Sequence, residues 1–199
     1  MRYLSHSVGS HLAATLLLFI TIVPRARAAE PLGFDLAGHP VSELAGPGTR
    51  VVVLLFSASD CPIANRYVPE IARLKREFSK QGVRFWWVFP NPSDTAPVVV
   101  RHNRAFSIDE PTVLDTRQTL VRLAHVTVTP ESAVFEIQSG GMHEFYHGRI
   151  DDRYIALGQE RPAARHHELE SAIAAALSGN AIGSSFGRPV GCAIVPLQP

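Results

Sequence analysis

Two cysteines, Cys61 and Cys192, are the side chains whose type and position most readily support chemistry in this sequence. Cys61 stands between a continuous apolar run at 51–56 and a helix-periodic segment that begins at Pro62. The first turn of a helix carries unpaired amides and about half a positive charge, and both stabilise a thiolate. The negative charge of Asp60 opposes that stabilisation. The position predicts a reactive thiol at Cys61, against the alternative of an inert, half-buried cysteine.

Cys192 lies near the end of the chain, in a segment from residue 179 onward that is rich in Gly, Pro and Ser. This composition predicts an extended, flexible tail rather than a regular element. Three states stay open for the two thiols. They form a redox-active pair in which Cys192 resolves an oxidised Cys61, or a structural disulfide that ties the tail down, or they remain unpaired within the chain.

The elements that must position these thiols alternate between strand and helix. Continuous apolar runs and a hairpin around 139–141 predict strands, and apolar residues at spacings of three and four predict helices. The predicted strands are 51–56, 83–89, 111–115, 132–137 and 142–147, and the predicted helices are 63–78, 95–106, 117–124 and 166–177. This alternation indicates an α/β fold with a sheet flanked by helices.

A Thr-Pro pair precedes the strand predicted at 132–137. A proline at the start of a strand can be cis and can hold the backbone open for an extended substrate. Because Thr129-Pro130 follows Cys61 after further α/β units, we expect a cis bond there, with Pro130 shaping the substrate side of the site.

Several motifs together resemble the thioredoxin-like superfamily. They are FSASDCPIA around Cys61, Val113-Leu114-Asp115, Thr129-Pro130, and the opening GFDLAGHPV at 33–41. The segments CPIANRYVPE, TPESAVFE, YHGRIDD and GCAI are similar to exported bacterial redoxins of the alkyl hydroperoxide reductase and thiol-specific antioxidant (AhpC/TSA) type. The resemblance implies a thioredoxin-like domain at 29–178 with a central mixed β-sheet, followed by an extended C-terminal tail at 179–199.

The same resemblance implies a thiol-based oxidoreductase. Its substrate would be a peroxide or a protein or small-molecule disulfide, its catalytic residues Cys61, Cys192 and Pro130, and its reductant an external thiol. The sequence departs from the family patterns in three ways. Ala64 stands where Cys-x-x-Cys enzymes have their second cysteine, and Asn65 stands where copper-delivering members of the superfamily have theirs. Peroxiredoxins have Thr or Ser at the position of Ala58 and Pro at the position of Leu54. The alternative is a non-catalytic binding module, or a copper carrier using Cys61 and a nearby histidine.

Composition limits the classes of protein, partner and cofactor that remain possible. The chain of 199 residues is 46% hydrophobic and 19% charged, which suits one globular domain. Its net charge of +1 and lack of a basic run argue against nucleic acid as a partner. Two cysteines exclude an all-cysteine zinc site, and the nine histidines are dispersed. We therefore predict no metal and no other cofactor.

The first 28 residues read as a secretory signal peptide. An apolar stretch at 12–23 is followed by Pro24 and by Ala26-Arg27-Ala28, a small-x-small cleavage pattern. The stretch is shorter than the roughly 20 residues that span a bilayer, although an uncleaved anchor is the alternative. We expect a periplasmic or secreted protein without stable membrane insertion after cleavage. Its oxidising compartment would allow the two cysteines to pair.

Overall fold

The structure, a computed structural model, describes residues 30–183 and 187–197. The signal peptide predicted at 1–28 lies outside these ranges. Among the described residues, no helix combines the length and the hydrophobicity needed to cross a bilayer.

Strands and helices alternate along the described chain. The strands are β1 Gly33–Phe34, β2 Pro40–Val41, β3 Val51–Phe56, β4 Val83–Phe89, β5 Thr112–Leu114, β6 Val128–Thr129, β7 Glu131–Gln138, β8 Gly141–Gly148, β9 Tyr154–Ala156, β10 Gln159–Glu160 and β11 Cys192–Ala193. The helices are α1 Pro62–Phe78, α2 Ala96–Phe106, α3 Thr119–Leu123 and α4 Glu168–Ser178, with a 3₁₀ turn at Ser79–Gln81. The predicted long elements are confirmed with small shifts at their ends.

Seven strands form one mixed sheet in the order β2-β1-β5-β4-β3-β7-β8. β3, β4 and β5 run parallel, whereas β7 is antiparallel to β3 and β8 is antiparallel to β7. The predicted central mixed sheet is therefore confirmed. The parallel pairs are joined by helical crossovers, as parallel pairing requires.

The central strand β3 is buried on both faces, which explains its unbroken apolar sequence. Val51, Val53 and Leu55 pack in one core with apolar side chains of α1 and α4. Val52, Leu54 and Phe56 pack in a second core that includes Leu120 of α3 and Ile194 of the C-terminal segment. Helices thus cover both faces of the sheet, and the end of the chain contributes to one of them.

The C-terminal segment contains one short regular element where its composition predicted none. Cys192 and Ala193 form β11, which pairs antiparallel with β6, so that Cys192 lies opposite Thr129. Ile194 is only 9% exposed, and its amide donates to the carbonyl of Thr127 at 3.2 Å. The expectation of no regular element is wrong at Cys192 and Ala193, because backbone pairing and one buried apolar side chain outweigh the local content of glycine and proline.

Candidate active site

Cys61 occupies the junction that the sequence indicated. It is the N-cap residue of α1, and β3 ends five residues before it. Pro62 is the first helical residue, where its missing N–H costs no hydrogen bond. The Cys61 side chain is fully buried, and its Sγ donates to the carbonyl of Thr129 at 3.2 Å. The thiol therefore lies beneath the loop that precedes β7, not at the surface.

The Sγ atom of Cys192 lies 2.7 Å from the Sγ atom of Cys61, across 131 residues of chain. Both residues are free cysteines in this structure. A disulfide bond is about 2.0 Å long, so a small approach of the two sulfurs would close it. The fold thus brings together two of the three residues singled out in the sequence, and pairing of β11 with β6 accomplishes this.

Pro130 joins them. The Thr129–Pro130 peptide bond is cis, as predicted. Thr129 contacts both cysteines, because its carbonyl accepts from Cys61 and its hydroxyl lies 3.5 Å from the carbonyl of Cys192. The three predicted residues therefore form one site around the Thr129–Pro130 bond.

Gly191 is a site residue that the sequence reasoning missed. A Cβ atom at this position would lie 2.1 Å from the Thr129 oxygen and 3.0 Å from the Pro130 nitrogen. Only a residue without a side chain lets the segment approach the Thr129–Pro130 bond this closely. The one available signal was a glycine immediately before the second cysteine.

The two thiols differ in electrostatics. Burial raises the pKa of the Cys192 thiol to about 12, and its hydrogen bond to Cys61 and the charges of Cys61 and Asp60 act in the same direction. Cys192 therefore keeps its proton at neutral pH and donates it toward the sulfur of Cys61. The sulfur of Cys61 thus accepts from Cys192 and donates to the Thr129 carbonyl, at the N-terminus of α1.

A partly buried polar network fixes the loop before Cys61. One oxygen of Asp94 accepts from both the amide and the hydroxyl of Ser59. Asn65 of α1 donates to the Ser59 carbonyl at 3.3 Å and contacts the Nε2 atom of His102 at 2.7 Å. Burial raises the pKa of the Asp94 carboxyl. Asn65 thus positions this loop through its contacts with Ser59 and His102.

The end of the chain is anchored near the site by two polar side chains. The amide of Val195 donates to Oδ1 of Asn91 at 2.9 Å, and its carbonyl accepts from Nε2 of Gln118 at 2.6 Å. These bonds follow directly after β11. They hold Cys192 in place from its C-terminal side, and Gly191 does so from its N-terminal side.

A cleft of about 420 Å³ opens beside the pair, and Cys192 forms part of its wall. The other lining residues come from the first turns of α1 and from the β9–β10 hairpin: Pro62, Ile63, Arg66, Tyr154, Leu157, Gly158 and Glu160. Leu157 at the tip of the hairpin is 68% exposed. The hairpin was not predicted, because two strands of two and three residues leave little periodicity to detect.

Within the described residues, one group of three side chains could bring metal-ligating atoms within 4.8 Å of one another. It consists of Glu70, His167 and Glu170, and it includes neither cysteine. Arg73 forms ion pairs with both glutamates. The group therefore reads as a surface ion-pair network.

Comparisons with known proteins point to one family and one fold. The sequence profile of a family described as "AhpC/TSA family" matches residues 27–142, more than half of the chain. A search of curated protein sequences finds no match.

Solved structures agree on the fold. A hypothetical protein from Sinorhizobium meliloti has a TM-score of 0.68 at 21% identity, over 84% of this chain and 91% of that one. An uncharacterised conserved protein from Geobacillus kaustophilus has a TM-score of 0.67 at 20% identity, over 84% and 93%. A secreted Mycobacterium tuberculosis disulfide oxidoreductase, homologous to E. coli DsbE, has a TM-score of 0.51 at 16% identity, over 73% and 96%. The predicted thioredoxin-like fold is confirmed.

Proposed function

This chain belongs to the AhpC/TSA family, and from that premise we propose that it is an exported thiol–disulfide oxidoreductase. Its reaction passes through a disulfide between Cys61 and Cys192. The observation that carries the proposal is the 2.7 Å separation of the two sulfurs. Cys192 thereby supplies, from the end of the chain, the second thiol that Ala64 removes from the Cys-x-x-Cys position.

The reaction is a two-electron exchange. In the oxidised protein the Cys61–Cys192 bond breaks and two thiols form, while a substrate dithiol loses two electrons and two protons and becomes a disulfide. The reverse direction reduces a substrate disulfide and needs an external thiol reductant to restore the pair. Pro130 and Thr129 hold the backbone that lies against both sulfurs.

Disulfide exchange fits the site better than peroxide reduction. A peroxidase needs hydrogen-bond donors that stabilise the oxygen leaving as hydroxide. The Cys61 sulfur is fully buried between the Cys192 sulfur and the Thr129 carbonyl. Of these two neighbours only the Cys192 thiol can donate a hydrogen bond, and a thiol is a weak donor. We propose peroxide as a chemical oxidant of the pair and disulfides or dithiols as its substrates.

Export rests on the first 28 residues and on the chemistry of the pair. We propose that 1–28 is a cleaved signal peptide, that 29–178 is the thioredoxin-like domain, and that 179–199 completes its site by supplying Cys192. A pair that works as a disulfide suits an oxidising compartment, and the similar M. tuberculosis oxidoreductase is described as secreted. Mass spectrometry of the soluble exported protein should find an N-terminus near Ala29; retention of 1–28 would refute cleavage.

Redox titration tests the proposed activity. The protein is equilibrated in buffers of reduced and oxidised small thiol at a series of ratios, quenched in acid and alkylated. We expect two thiols to appear and disappear together in one reversible two-electron transition, and the oxidised protein to oxidise a dithiol peptide stoichiometrically. Cys192→Ser should lose both properties. If the two cysteines stay oxidised at every ratio, they form a structural disulfide. If they never form a disulfide, the protein is a non-catalytic binding module.

A further inference from the structure

We infer that Cys192 is the sulfur that substrates meet, so that an incoming peptidyl thiolate attacks Sγ of Cys192 and expels Cys61. This inference rests on the proposed function, because it assigns roles within the same redox pair. It reverses the roles that sequence position suggests, since Cys61 holds the helix N-terminus that predicts a nucleophile.

Access to solvent separates the two sulfurs. Cys61 is fully buried, whereas Cys192 is partly exposed and belongs to the wall of the cleft. Disulfide exchange requires the attacking sulfur to reach one sulfur of the bond directly. Cys192 lines the cleft and Cys61 does not, and the sulfur of Cys61 lies against the Thr129 carbonyl.

Leaving-group chemistry favours the same assignment. The better leaving thiolate is the one that its surroundings stabilise. Cys61 departs as the N-cap residue of α1, where the helix dipole favours negative charge, whereas burial, Cys61 and Asp60 raise the pKa of Cys192. Attack at Cys192 therefore releases the sulfur at the helix N-terminus and keeps Cys192 in the mixed disulfide.

The exchange of the disulfide takes place in two steps, and the electrons balance in each. The substrate thiolate forms a bond to Sγ of Cys192, the Cys61–Cys192 bond breaks, and Cys61 departs with the electron pair. A second thiolate of the same substrate then attacks the substrate sulfur of this mixed disulfide. The substrate disulfide forms, and Cys192 leaves with the electron pair, takes up one proton and again donates it toward Cys61.

The walls of the cleft identify the class of substrate. Pro62, Ile63 and Leu157 give it an apolar wall, and the ion pair between Arg66 and Glu160 also lines it. A leucine that is 68% exposed in the same cleft as Cys192 can contact an apolar side chain near the substrate cysteine. The structure thus points to a cysteine flanked by apolar residues in an extended peptide, rather than to a small hydrophilic thiol.

Trapping of the mixed disulfide tests the position of attack. Oxidised wild-type protein is mixed with a peptide that carries one cysteine between leucines, quenched in acid within the first turnover, and alkylated with a maleimide. Peptide mapping should find the substrate peptide on Cys192 and the maleimide on Cys61. The reverse distribution would overturn the inference while leaving the redox pair intact. If wild-type protein never forms the internal disulfide, the proposed function fails, and this inference fails with it.

Two variants on one hairpin test the substrate class. Leu157→Ser removes an exposed leucine from the cleft wall, and Ile155→Ser removes an isoleucine that is 54% exposed but does not line the cleft. Loss of an apolar contact of this size should slow attack by the leucine-flanked peptide about tenfold in Leu157→Ser. Its reaction with free cysteine should be unchanged, and Ile155→Ser should match wild type with both thiols. Equal rates for Leu157→Ser and wild type with the peptide would refute the role of the cleft.

Discussion

Gly191 packs against the carbonyl of Thr129 so closely that a Cβ atom would lie 2.1 Å from that oxygen. The carbonyl also accepts from Cys61, and Thr129 pairs with Cys192 between β6 and β11. One peptide unit thereby sets the positions of both thiols. The separation of the sulfurs depends on a residue that takes no part in the chemistry.

Gly191→Ala should therefore uncouple the two cysteines. The added methyl group collides with backbone, which cannot move aside as a flexible side chain would, so β11 must shift away from β6. We expect a loss of about 1–3 kcal/mol in the free energy of unfolding, typical of overpacking, and much slower closure of the disulfide after one equivalent of oxidant. Gly183→Ala is the matched control, because its Cβ would meet nothing within 4 Å. Disulfide closure at the wild-type rate in Gly191→Ala would contradict this account.

Closure of the disulfide should stabilise the protein. It would link residues 131 positions apart and so restrict the unfolded chain strongly. Urea unfolding should give the oxidised form a free energy of unfolding about 2–4 kcal/mol above that of the reduced form. Cys192→Ser should show no such difference between oxidising and reducing buffer. A wild-type protein that is equally stable in both buffers would mean that the sulfurs do not bond.

Cys192→Ser should also change the oxidation product of Cys61. Without a resolving thiol, the sulfenic acid formed by peroxide persists and proceeds to sulfinic and sulfonic acids. Intact-mass measurement after peroxide treatment should find these oxygen adducts on Cys61 in the variant and a plain disulfide in wild type. If the variant and wild type gain the same adducts, Cys192 does not resolve Cys61.

Alkylation of the reduced protein should report the raised pKa of Cys192. Because its pKa is raised to about 12, Cys192 is almost entirely protonated at neutral pH, although it is the more exposed of the two thiols. We expect iodoacetamide to modify Cys192 slowly at pH 7, and the rate to rise about tenfold per pH unit between pH 7 and 9. The protein unfolded in urea is the control, since Cys192 should then react as an ordinary cysteine. Equal rates at Cys192 in the folded and the unfolded protein at pH 7 would refute the raised pKa.

The sequence supports the central elements of this fold better than it supports the site. The apolar run at 51–56 and the helical spacing after Pro62 placed Cys61 at a strand-to-helix junction because local periodicity reports burial. Thr129-Pro130 was recognised as cis from its place before a strand. Local pattern could not predict the contact between Cys192 and Cys61, because it depends on pairing between two strands of two residues each, with Thr129 and Cys192 63 positions apart.

Asp115 is a fully buried carboxyl that organises the region holding the end of the chain. Its two oxygens accept from the amides of Thr119, Leu120 and Val121 at 2.6, 2.9 and 3.0 Å. Gln118, in the same turn, is the residue that anchors Val195. Burial raises the pKa of Asp115 from 3.8 to about 6, while the three N–H bonds and the charge of Arg122 act in the opposite direction. Burial and hydrogen bonding therefore compete at one group.

This competition predicts the sign of a pH effect. Between about pH 4 and 7 the folded protein binds a proton at Asp115 that the unfolded chain releases, so its contribution to stability falls as pH rises through 6. Relative to Asp115→Asn, wild type should lose about 2–3 kcal/mol of unfolding free energy across this window, which is the equivalent of the shift from 3.8 to about 6. Asp109→Asn is the control that should follow wild type across this window, since Lys75 lowers the pKa of Asp109 below 3.8 and its effect on stability therefore lies at lower pH. If wild type instead gains stability relative to Asp115→Asn as pH rises, the N–H bonds outweigh burial.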